Sequence, residues 1–172
     1  MSDKKTIRRQ MDAMLAEGKG KTEIFRQLSG QGVKDRHLAV WLASKPDLQA
    51  FGEMKLHVDI LTAFMILQAL IIFAITVSVS VFLGLSLMLI PLLFAWGFRQ
   101  PRAGAYAGYL FLSIITLGRN FAGMFPMTAG SIAGFAISVG IIGYVFWIQR
   151  RIYPDMSFIG PNRKGLKFVF TT

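Results

Sequence analysis

The sequence predicts an all-α polytopic membrane protein with four transmembrane helices, a small N-terminal three-helix cytoplasmic domain and a short C-terminal β-hairpin. Three observations carry this fold class. The apolar fraction is 53% and the mean hydropathy +0.51, more than a soluble domain of 172 residues needs to fill its core. Charge is segregated along the chain: 18 of the 28 Lys, Arg, Asp and Glu side chains lie in residues 1–55, while residues 60–98 and 121–148 hold none. Residues 60–98 also lack the polar stripe at helical spacing that an amphipathic helix of a soluble bundle would show.

The head, residues 1–46, reads as three short helices. Residues 3–17 place Ile7, Met11, Met14 and Leu15 on one face, and Gly18 supplies a stop. Thr22 is positioned to cap a second helix, "EIFRQL", whose apolar residues are Ile24, Phe25 and Leu28. A third, from Val33 to Ser44, offers Val33, Leu38, Trp41 and Leu42. A core this small is marginal alone and gains from packing against the membrane part, the tail or another subunit. "SKPD" then breaks the chain. Asp47 suits an N-cap, and the helix after it, with Leu48, Phe51 and Met54 inward, runs on into the first span. Unbroken from 47 to 77 it would measure about 45 Å at 1.5 Å per residue. Gly52 weakens that continuity slightly.

The membrane domain is assigned to residues 47–149. The charge-free run from 60 to 98 is 39 residues long, too long for one bilayer crossing and close to two. Its midpoint is "TVSVSV", where serines alternate with β-branched residues of low helix propensity. Spans are therefore expected near 57–77, 79–98, 102–120 and 129–148, with "RNFAGMFPMTAG" joining the last two. Basic residues set the orientation, because cytoplasmic loops carry an excess of Lys and Arg. Eleven lie in residues 1–55, Arg99 and Arg102 flank Pro101 between spans two and three, and Arg150, Arg151, Arg163, Lys164 and Lys167 follow span four. The first hairpin turn has none and the last has Arg119 alone. Both ends are thus expected on the cytoplasmic side of a bacterial inner membrane. Trp96, Phe98 and Trp147 close their spans where aromatic rings favour the interface. The polar first residues, "MSDKKTI", give no expectation of a cleavable leader.

The tail, residues 150–172, contains two β-prone runs, Met156–Ile159 and Leu166–Phe170, around a Gly-Pro-Asn cluster. A lone hairpin is barely stable in water, so this one is expected to pack on the head or pair with another subunit.

Polar residues inside apolar spans are the candidate functional groups. Gln68, near the middle of span one, has no route to water and needs a partner on a neighbouring helix or in a pore. His57 and Asp59 stand at the inner entrance of that span, as interfacial anchors or as ion-linked groups. Arg119 and Asn120 close span three, where an arginine can snorkel to the interface or serve an outer-mouth site. Pro91 removes one backbone donor and kinks span two. Small residues recur every fourth position at Gly130, Gly134 and Ser138, and at Gly104 and Gly108, a spacing that lets helix backbones approach within a chain or across subunits.

The second and third head helices resemble a helix-turn-helix motif over some 25 residues, "TEIFRQL", a glycine turn, then "VKDRHLAVWLAS". The resemblance makes Lys34, Arg36 and His37 the nucleic-acid readers. Seven acids dilute the eleven basic residues and almost no linker separates the head from the bilayer, so lipid headgroups suit this face better than DNA.

Catalysis is not expected. Beyond residue 55 the acids are Asp59 and Asp155, the two histidines lie in different segments, and cysteine is absent. No metal-ligand spacing, phosphate loop, serine elbow or cofactor motif occurs. The expected function is that of a non-catalytic, homo-oligomeric membrane sensor or scaffold whose head recruits a cytoplasmic protein. An oligomeric ion channel or small-solute pore is the alternative, and a membrane-tethered DNA-binding regulator the third.

Overall fold

The computed structural model describes residues 2–121, 128–158, 160–165 and 167–171. The chain is mostly helical: α1 (Ser2–Ala16), α2 (Lys21–Leu28), α3 (Asp35–Ala43), α4 (Leu48–Glu53), α5 (Lys55–Thr76), α6 (Val81–Arg99), α7 (Ala103–Phe121) and α8 (Ala129–Ile152), then a hairpin of β1 (Arg163–Lys164) and β2 (Lys167–Phe168). It forms two compact units, one of residues 48–152 and the other of residues 1–47 with 153–172.

In the first unit, three helices among the described residues are long and apolar enough to cross a membrane: α5, α6 and α8, with mean hydropathies of 2.4, 2.2 and 2.0. Their apolar side chains face outward, among them Leu70, Ile75, Phe82, Leu93 and Ile137. Lipid can cover that surface where water cannot. The fourth expected span coincides with α7, which is not among the three. Three glycines, two tyrosines, Arg119 and Asn120 fall within its nineteen residues and lower its apolarity.

Local chemistry explains the joints. The helix expected to run unbroken from 47 to 77 is interrupted at Met54, whose φ of −88° and ψ of 4° end α4 and start α5. Gly52 weakens the preceding turn, and Met54 turns its side chain inward. The α5–α6 turn falls within the "TVSVSV" stretch, and Ser80 caps α6 by accepting from the Leu83 N–H at 3.4 Å. Gly84 lets α6 approach α5, since a Cβ there would lie 3.1 Å from both the Phe73 ring and the Thr76 hydroxyl. At the next turn Arg102 sits over the Trp96 ring at 4.1 Å. Gly97 meets α7 so closely that an added Cβ would stand 2.5 Å from Ala105 Cβ. Beside it, Phe98 and the fully buried Tyr106 lie 4.7 Å apart, and the Tyr106 hydroxyl donates to the Phe98 carbonyl. Much of the expected connection before α8 lies outside the described residues, but α8 begins with Thr128 and Ser131 exchanging side-chain-to-backbone hydrogen bonds. Farther along, α8 packs on α4, α5 and α7.

In the second unit, α1 packs on α2 and α2 on α3, burying Ile7, Met11, Ile24, Leu28, Leu38 and Leu42. Gly18, at φ +79°, ends α1 as its position suggests. Thr22 is not the cap of α2. The helix starts at Lys21, two residues earlier than expected, with Gly20 at the N-cap and no side-chain cap bond, so Thr22 lies within the first turn. The C-terminal hairpin exists, but its pairing differs from the expected one. Arg163 faces Phe168 and Lys164 faces Lys167, with Gly165 at φ +65° in the turn. The Gly-Pro-Asn cluster instead precedes the sheet, where Met156 and Pro161 form an isolated bridge. Only glycine takes that left-handed turn conformation at no steric cost, and this pins the register. Ile159 and Leu166, each at one end of an expected run, lie outside the described residues.

Candidate functional site

In the unit of residues 48–152, α5, α6, α7 and α8 border an open cleft of about 470 Å³, in which Gln68, Thr116 and Asn120 are exposed. Apolar side chains dominate its wall, with Phe64, Ile72, Ile90 and Phe94 among them. Among the described lining residues six carry polar groups: Gln68 from α5, Tyr109, Ser113, Thr116 and Asn120 from α7, and Ser138 from α8. Among the described residues, none that lines it is charged. Helical spacing explains the polar row on α7, because 113, 116 and 120 follow one another at three and four residues and share a face.

The hydrogen-bonding state of these groups differs. Thr116 donates its hydroxyl proton to the Leu112 carbonyl at 2.9 Å, and Ser138 to the Gly134 carbonyl at 2.8 Å. Both oxygens still have lone pairs to accept with. The Gln68 and Asn120 amides make no hydrogen bond with any described residue. Pro91 also lines the cleft, and its missing N–H deprives the carbonyl of Leu87, another lining residue, of its helical donor.

Other sequence-predicted residues lie elsewhere. Asp59 and Arg119 are exposed and do not line the cleft. His57 is half-buried: its Nδ1 is 2.8 Å from the Tyr144 hydroxyl, and its ring is 5.1 Å from that of Trp147. Arg99 and Arg102 are exposed around the α6–α7 turn, as are Arg150 and Arg151 in the last turn of α8. Of the small residues, Gly108 lies 3.6 Å, measured from a built Cβ, from the Phe94 ring, whereas Gly104 and Gly134 have nothing within 4 Å and Gly130 only its neighbour Thr128. The tight approaches are at Gly84 and Gly97, which belong to no repeating small-residue pattern. Lys34, Arg36 and His37 are exposed together at the start of α3.

The other unit holds a buried polar centre whose geometry the sequence does not announce. Lys21 Nζ lies 2.7 Å from Asp155 Oδ2 and also donates to the Lys45 carbonyl at 3.2 Å. Asp155, 1% exposed, accepts on its other oxygen from the Thr171 N–H at 2.6 Å and from the Thr171 hydroxyl. Burial by itself raises the Asp155 pKa, but the hydrogen bonds from Lys21 and Thr171, with the Lys21 charge, outweigh it and hold the carboxyl below its ordinary value. Phe25 packs against Phe168 and Phe170, each 5.6 Å away, beside this pair. Nothing in "YPDM" marks the aspartate as special. The available signal was negative: an acid isolated in a strongly basic tail must find a cation.

No protein-family model, curated protein or solved structure matches the chain. Among the described residues, no group of three or more His, Asp or Glu side chains is placed to hold a metal ion.

Proposed function

We propose that the protein is a non-catalytic, homo-oligomeric sensor or scaffold of a bacterial inner membrane. In this reading α5, α6, α7 and α8 all span the bilayer. The lower apolarity of α7 is tolerated because Ser113, Thr116 and Asn120 line the cleft. Arg99, Arg102, Arg150 and Arg151 fix the cytoplasmic side, so both chain ends share it. The observation that carries the reading is the Lys21–Asp155 pair, which joins groups 134 residues apart and closes the two chain ends into one folded module. A module built from both ends of a membrane chain suits the recruitment of a cytoplasmic protein, and the exposed Lys34, Arg36 and His37 at the start of α3 are its candidate contact.

The test is crosslinking mass spectrometry on the full chain in native membranes. The expected result is one cytoplasmic protein linked reproducibly to residues near 34–37, and its loss in Asp155→Asn while membrane insertion is retained. A partner that persists after residues 1–45 are removed overturns the reading.

A channel or small-solute pore is the second reading, favoured by the position of Gln68 in the cleft. Asp59, the candidate ion-linked group at the inner entrance of that span, is not part of that wall. Solute flux into proteoliposomes that falls on Gln68→Leu supports the channel; flux indifferent to the substitution removes it.

A further inference from the structure

We propose that the cleft among α5, α6, α7 and α8 binds a neutral, membrane-soluble amphiphile with a hydroxyl head, of the diacylglycerol or long-chain alcohol class. The inference rests on the membrane placement proposed above and is independent of any partner of the other unit.

Size and wall chemistry set the class. A volume of about 470 Å³ lies in the range of small-molecule sites. The wall is apolar with a few neutral polar groups and no charge, so an ionic headgroup would lose its hydration there without a counter-ion. Phospholipids and fatty-acid anions are thereby disfavoured, and an uncharged head is admitted.

Depth points the same way. Gln68 lies thirteen residues from the start of α5, Thr116 thirteen from the start of α7, and Ser138 fourteen before the end of α8. Each is about 20 Å along its helix at 1.5 Å per residue, well inside a helix of bilayer length. Asn120 lies one turn farther along α7. In hydrocarbon an amide without a partner costs several kcal/mol, and the Gln68 amide borders this space, with Asn120 at its outer end.

The donor and acceptor balance then selects the head. Thr116 and Ser138 already donate to their own helices and can only accept. The Gln68 and Asn120 amides offer both donors and acceptors. The Leu87 carbonyl, freed by Pro91, is a further acceptor on a lining residue. Acceptors are therefore in surplus. A ketone or ester head would satisfy the amide donors alone. A hydroxyl donates to the accepting oxygens and accepts from the amides at once.

The test uses the full chain in phosphatidylcholine nanodiscs and a long-chain alcohol carrying a diazirine. Labelling is expected to saturate, to map to peptides around residues 68, 116 and 138, and to be suppressed by dioleoylglycerol but not by dioleoyl phosphatidate. Replacing Gln68 and Asn120 together by Leu is expected to weaken labelling about tenfold, the loss of one or two hydrogen bonds. Ser138→Ala removes an acceptor with little change of shape, and gives a second variant should the double substitution fail to fold. Unsaturable labelling spread over the outward faces overturns the proposal, as does equal competition by phosphatidate. So does copy-to-copy crosslinking through residue 68 that Gln68→Leu abolishes, which would give the cleft to a second subunit. Liposome flotation reads the membrane placement separately, so a chain that floats but does not label rejects the site alone.

Discussion

At the scale of single residues, Asp155 shows how a group becomes important through what surrounds it. It is held by Lys21 and by two donors from Thr171, and it is almost fully buried. Its pKa is depressed in the folded chain, so the stability it contributes is present above the unfolded value of about 3.9. That contribution is lost as pH falls through the folded pKa. Protection of the tail amides between residues 167 and 171, taken relative to the intrinsic exchange rate at each pH, is therefore expected to hold at neutral pH and to fall only in acid below the ordinary carboxylate range. Asp155→Asn leaves the Lys21 ammonium buried without its counter-charge, a loss of about 3–5 kcal/mol. The same tail amides should then exchange quickly at pH 7. Lys21→Met should cost less, since Thr171 still donates to the carboxylate. A substituted tail as protected as the original would show that the pair does not hold it.

At the scale of elements, the tightest contact is between α6 and α7, where Gly97 leaves room for Ala105. Gly97→Val forces these helices apart, and overpacking of this kind costs about 1–3 kcal/mol. A lower thermal unfolding midpoint in detergent is the expected readout. Gly104→Ala and Gly134→Ala are the contrast: an added methyl meets nothing within 4 Å, so the folded subunit should be unchanged. Should either variant alter the oligomer on sizing chromatography while leaving the unfolding midpoint alone, those faces pack between copies. The four long helices were legible to within a few residues, because apolar runs of bilayer length bounded by charge leave little freedom. The break at Met54 and the start of α2 at Gly20 were not. Joints of this kind turn on single dihedral angles, to which propensity contributes only tenths of a kcal/mol.

At the scale of the whole molecule, the proposed topology is one that cysteine labelling can read without interference, since the chain has no cysteine of its own. Gln100→Cys, at the α6–α7 turn, should react with impermeant maleimide only from the side that holds both chain ends. Ser78→Cys, in the α5–α6 turn, should react only from the opposite side. Reaction of both from one side would overturn the orientation.

The amino-acid order by itself determined where apolar runs lie, how long they are, and that Gln68 needs a partner within one of them. These are local properties: hydrophobicity and charge act residue by residue along a helix, and hydrocarbon penalises any exception. Only the tertiary structure decided that Gln68, Thr116, Asn120 and Ser138 border one cleft, that Gly97 rather than a repeating glycine makes the close approach, and that Asp155 finds Lys21. Each of these depends on the rotation of one helix about its axis or on which distant segment folds back. Such choices are made by side-chain packing among elements far apart in the chain, and no spacing within a single segment encodes them.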